Sequence, residues 1–185
     1  MRSVRFIGCR RIGCSSGKRE DGLPLSLYRD RGQLFTSPGA TISADQVYRD
    51  IVTTIAPQFP RLRTIGFDPA FAPDVAQRLS AQFTTLEIPQ NYNYVTAPCY
   101  TLEGLLKAGR VAHDGHPILR WNIGNVAVKR DEAGRLRPVK PRVVGQHRKR
   151  IDGVVALLMG LSMLQREAPA VEPAYQMLVF GSAGP

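Results

Sequence analysis

Residues 61–69 read Arg61-Leu62-Arg63-Thr64-Ile65-Gly66-Phe67-Asp68-Pro69, and this stretch decides the fold. Arg61 to Phe67 reads as a short β-strand. Asp68-Pro69 then reads as a strand-to-helix junction, because Asp caps helices and Pro is tolerated in a first turn. Val75, Ala76 and Leu79 follow as an apolar stripe at helical spacing. Phe83 to Ile88 reads as a second strand. Strand, helix and strand in succession predict an α/β sheet.

Reading outward, the same alternation continues. Upstream, Gln33 to Thr36 forms a short strand before the Ser37-Pro38-Gly39 turn. Ser43 or Asp45 caps a helix that runs through Val47, Ile51 and Ile55 and stops at Pro57. Downstream, residues 89–95 form a polar aromatic loop, and Thr96 or Thr101 starts a helix that Gly109 ends. Residues 117–128 begin as a helix and give way to a strand near Val126. Asp131-Glu132-Ala133-Gly134 is a turn. Ile151 to Leu164 is nearly all apolar, a buried helix with Asp152 at its positive end. Three regions result: an irregular basic segment over 1–30, an α/β domain over 31–166 and a loose tail over 167–185.

The chain has 185 residues, enough to bury a core without staples. No apolar run approaches the roughly 20 residues that span a bilayer, so no membrane partner is expected. Three Cys cannot all pair with one another, which argues for free thiols and a reducing compartment. There are 25 Lys+Arg against 15 Asp+Glu, and the formal net charge is +10. Thirteen of the 25 bases fall in residues 1–19 and 135–150, two stretches without an acid. The rest of the chain is close to neutral. Two basic segments on a near-neutral body suit contacts to nucleic-acid phosphate, each of which releases a counterion. They also suit solvated loops.

Asp68 and Asp152 each stand at the end of an element. Carboxylates converging from different elements are what a two-metal phosphodiester hydrolase needs, and Mg²⁺ or Mn²⁺ takes oxygen ligands. Each position equally suits a helix cap, and spacing does not choose. His113 and His116 flank Gly115 in a turn, with no further ligand at metal spacing. Trp121 reads as core. Tyr92 and Tyr94 suit either packing or base stacking.

From Thr64 to Leu164 the chain resembles the nuclease domain of the large terminase subunit of tailed bacteriophages. Ile65-Gly66-Phe67-Asp68-Pro69 is similar to its second-strand motif. Ala97-Pro98, Leu102-Glu103, Leu105-Leu106, Gly109-Arg110-Val111 and His113 follow in order. Then come Gly115-His116-Pro117-Ile118-Leu119-Arg120-Trp121 and Asn125-Val126-Ala127-Val128. Asp131 and Gly134 precede Pro138 and Lys140. Arg150-Ile151-Asp152-Gly153 closes the series, with Ala156-Leu157 and Met159 on the next helix. The specificity lies in the ordered series over roughly 100 residues.

The resemblance implies a ribonuclease H-like fold, a mixed sheet flanked by helices, and a metal-dependent endonuclease that cuts concatemeric viral DNA during packaging. It implies Asp68 and Asp152 as catalytic metal ligands, Asp131 as an auxiliary acid, and Mg²⁺ or Mn²⁺ as the ions. Lys140, Arg142, Arg148, Lys149 and Arg150 would face double-stranded DNA. The terminase small subunit and the portal would be protein partners, in the cytoplasm of a bacterial host. Two departures stand out. The family's first strand, with its own catalytic Asp, has no counterpart, and Glu20, Asp21 and Asp30 are the only early acids. No phosphate-binding Gly-rich loop of an ATPase occurs. The sequence therefore reads as the last two-thirds of a nuclease domain, a truncated prophage gene or one piece of a split gene. Three functions stay open: a nuclease that needs a third acid, a DNA-binding remnant without cleavage, and an RNA-associated basic protein.

Overall fold

The computed structural model describes residues 12–13, 25–37, 41–141 and 149–167. Its centre is a β-α-β unit. Strand β3 (Thr64–Phe67) pairs in parallel with β4 (Thr84–Glu87), Thr64 opposite Thr84 and Phe67 opposite Glu87, and helix α3 (Pro73–Leu79) makes the crossover. Before it come β1 (Ile12–Gly13), α1 (Leu25–Asp30), β2 (Thr36–Ser37) and α2 (Ala44–Asp50). α2 starts after Ser43, whose side chain makes no cap bond, and the helical run passes the expected stop: a π-helical turn follows, then a 3-10 turn that contains Pro57 and ends at Gln58. After it come α4 (Tyr92–Lys107), α5 (Pro117–Asn125), β5 (Ala127–Arg130), β6 (Leu136–Val139) and α6 (Asp152–Glu167). The fold is mixed α/β.

Several expectations change. The described strands pair two by two, β1 with β2, β3 with β4 and β5 with β6, and not as one mixed sheet. Helices join the pairs instead: α6 packs on β3, and α4 packs on β6. Asp68-Pro69 does not open a helix. α3 begins at Pro73, which takes the first-turn position because its missing N–H has no partner to lose there. α4 starts at Asn91, not at Thr96 or Thr101. The Asn91 carboxamide oxygen accepts from the Asn93 and Tyr94 amides, at 3.1 and 3.3 Å. Gly109, at φ 63°, ends this helix as expected. Part of the stretch expected to be irregular is ordered: Leu25 and Tyr28 of α1 pack with Leu34, Ile118 and Trp121.

α6 organises the core. Val154 and Leu158 pack on Cys99 of α4 and Leu136 of β6, with Leu102 and Val126 at the margin. On β3, Gly66 lets α6 come close. A Cβ there would lie 2.5 Å from Met163 Sδ and 3.2 Å from Ile88 Cγ1. None of the helices among the described residues is long and apolar enough to cross a membrane.

Candidate functional site

The head of α6 is held from two sides. Ile151 lies just before it, buried, and its carbonyl accepts from the Val154 and Val155 amides. The next free amide, of Gly153, donates to Asn122 Oδ1 at 2.7 Å. Asn122 is 2% exposed, and its own Nδ2 donates to the Ile118 carbonyl at 3.0 Å. One turn on, Asn125 Nδ2 donates to the Arg150 carbonyl at 3.3 Å. Two asparagines on α5 thus clamp residues 150–153. A first-turn amide of a helix has no partner within its own helix, so a side-chain acceptor from a neighbour stabilises it.

That clamp fixes Asp152. Its carboxylate faces Lys140, with Nζ 3.8 Å from Oδ1, and both side chains are about one-third exposed, at 33% and 39%. Lys140 follows β6, so the hairpin and α6 meet at this ion pair. Lys149 and Arg150 are half-buried immediately before the helix. The structure therefore brings Asp152, Lys140, Lys149 and Arg150 into one region. Arg142 and Arg148 lie outside the described residues.

Asp68 stands just past the end of β3. Its Oδ1 accepts from the Ala70 amide at 3.0 Å, and its carbonyl accepts from the Phe71 and Ala72 amides. It shapes the turn and does not cap α3. Asp131 belongs to the β5–β6 turn. Its two oxygens accept from the Arg135 amide at 2.8 Å and Arg135 Nε at 2.7 Å. Burial pushes its carboxyl up, but the bonds and charge of Arg135 outweigh that and hold it below the usual range. Asp131 is thus committed to its turn. Asp30 pairs with Arg29 at 2.7 Å. Glu20 and Asp21 lie outside the described residues.

Among the described residues, no group of three or more His, Cys, Asp and Glu stands together as a metal site. His113 Nδ1 accepts from the Gly115 amide at 2.9 Å, as a turn residue does. A cleft of about 330 Å³ lies between α4 and the hairpin, lined by Cys99, Glu103, Val128, Arg130 and Leu136, and contains none of the candidate acids. Burial pushes the Cys99 thiol up to about 11, so it stays protonated.

Asn122 is the site residue that sequence reading missed. Its signal was present: Asn122 and Asn125 fall three apart on a helix with buried Ile118. A polar side chain on such a face needs a partner.

Three comparisons place the chain. The model of the terminase large subunit endonuclease domain matches residues 1–167. The large terminase subunit of enterobacteria phage HK97 is 31% identical over 153 residues, covering 80% of this chain and 29% of that protein. Protein YmfN of Escherichia coli K12 is 45% identical over 74 residues, 40% of this chain and 16% of that one. The crystal structure of the HK97 large terminase superposes with a TM-score of 0.65 at 30% identity, covering 76% of this chain and 29% of that chain. The chain thus spans under a third of the length of these relatives. It belongs to the terminase large subunit endonuclease domain family.

Proposed function

We propose that this chain is a partial terminase nuclease domain that binds duplex DNA and, by itself, does not cleave it. The observation that carries this reading is the family match along residues 1–167. Binding rests on the basic run after β6, where Lys140, Lys149 and Arg150 stand beside the head of α6. Absence of cleavage rests on the donor set. Among the described residues Asp68 and Asp152 are two acids where a pair of ions needs more, and Asp131 is engaged by Arg135. Asp68 and Asp152 are the ligands this chain would contribute to Mg²⁺ or Mn²⁺. Bound, such ions would activate water and steady the leaving oxygen. Lys140 holds the Asp152 carboxylate in place near DNA phosphate. The finer fold assignment in this reading is ribonuclease H-like. The small subunit and portal are its protein partners, in the cytoplasm of the bacterial host.

The test is retardation of a duplex DNA fragment over a series of salt concentrations, with Mg²⁺ and with EDTA. Three phosphate contacts from Lys140, Lys149 and Arg150 predict a log–log salt slope of about −2.7 or steeper in EDTA, and retardation that does not require Mg²⁺. Tighter binding to A-form RNA than to duplex DNA would support the RNA-associated reading and overturn this one.

A further inference from the structure

The β5–β6 hairpin sets two cations directly opposite each other. Lys129 is paired with Arg137 in the strand register, and Asp131 with Arg135 shares their face one step further on. Like charges opposite one another destabilise a hairpin. Here no ion pair relieves them. Among the described residues neither Lys129 nor Arg137 has an acidic partner, and the acid of that face, Asp131, is taken by Arg135. The other face, with Leu136, packs inward on α4. Lys129 is exposed.

A second observation concerns the arginines. The Arg135 and Arg137 guanidinium carbons lie 5.3 and 5.2 Å from the centroid of the Tyr92 ring at the start of α4. Arg135 also reaches Asn93 Oδ1 at 3.3 Å. An aromatic ring holds a guanidinium by cation–π attraction and limits its rotamers. Two arginines are therefore preset beside a lysine; Arg135 is paired with Asp131, and Lys129 and Arg137 have no acidic partner among the described residues. The missing counter-charge is what an anion on that face supplies.

We infer that the outer face of the hairpin, Lys129 and Arg137 with Arg135 and Tyr92 beside them, is a second phosphate contact for duplex DNA, separate from the basic run that begins at Lys140. This rests on the DNA-binding reading above. A phosphate seated between Lys129 and Arg137 turns their mutual repulsion into shared attraction, and Arg137 offers it a planar fork of donors.

The experiment compares salt slopes for duplex retardation by the wild type, by Lys129→Gln/Arg137→Gln and by the charge-keeping pair Lys129→Arg/Arg137→Lys. Thermal melts of each variant establish that it folds. The neutral pair is expected to flatten the log–log slope by about 1.8, two contacts at about 0.9 each. The charge-keeping pair is expected to retain the wild-type slope. A folded neutral pair with an unchanged slope overturns the hairpin contact and leaves the DNA reading standing. No retardation of duplex by the wild type overturns both. Loss of binding in the charge-keeping pair as well overturns the hairpin contact in favour of a packing role.

Discussion

Asn122→Leu removes the clamp at the head of α6 and keeps nearly the same volume. Two hydrogen bonds go. The one to the Ile118 carbonyl costs little, because that carbonyl sits in the α5 ladder. The other leaves the Gly153 amide, a first-turn donor, without its 2.7 Å acceptor. An unsatisfied donor of this kind costs about 1–3 kcal/mol, and a midpoint of about 2 suits the half-buried Gly153. For a chain of this length that lowers Tm by about 4–8 °C. Differential scanning calorimetry reads the shift. Hydrogen exchange gives a local signature, with faster exchange of the Gly153 amide than of the Leu158 amide two turns into the helix. Ile123→Ala, on the exposed side of α5 at 45% exposure, serves as the control and stays within about 0.5 kcal/mol. If Asn122→Leu melts within a degree of the wild type and Gly153 exchanges unchanged, the clamp does not hold Asp152 in place.

Three further outcomes are expected from packing and charge. The carboxyl of Asp131 is held below its ordinary value of 3.8, so its contribution to stability is present above that value and is lost as pH falls through the lowered one. Asp131→Asn is thus expected to melt below the wild type at neutral pH, and the gap to close as the pH is lowered past the point where the Asp131 carboxyl is protonated in the fold; a gap that persists in acid contradicts the Arg135 pairing. Gly66→Val is expected to cost about 2 kcal/mol, since its first carbon alone meets Met163 and Ile88. Gly66→Ala with Met163→Ala is expected to be milder than the sum of the two singles by at least about 0.5 kcal/mol in urea melts.

Much of this architecture was legible because it rests on local chemistry. The strand before Asp68, the helix broken near Pro57, the stop at Gly109 and the long apolar α6 all carry their signals in a few residues. The start of α4 was hidden: Pro-Gln-Asn-Tyr-Asn-Tyr reads as a polar loop, and only the Asn91 side chain turns it into a cap. β6 was hidden inside the basic run, because Arg137 and Pro138 are poor strand markers and the pairing comes from β5 across the turn. Asp68 misled in the other direction. Its carboxylate bonds two residues ahead, to Ala70, and Pro73 opens the helix. Of the residues the resemblance pointed to, Asp152 and Lys140 lie together in the structure, 3.8 Å apart. For Asn122 the local pattern shows only that a polar side chain on an apolar helix face needs a partner; the partner, the Gly153 amide, lies 31 residues away and no local pattern names it.

The most direct test of the central claim is incubation of the purified chain with supercoiled plasmid, with Mn²⁺ or with EDTA, beside Asp68→Ala and Asp152→Ala. The expected result is no nicking in any lane and retardation that fades as salt rises. Mn²⁺-dependent nicking by the wild type, lost in both variants, would contradict it and would mean that a further acid of this chain completes the metal site.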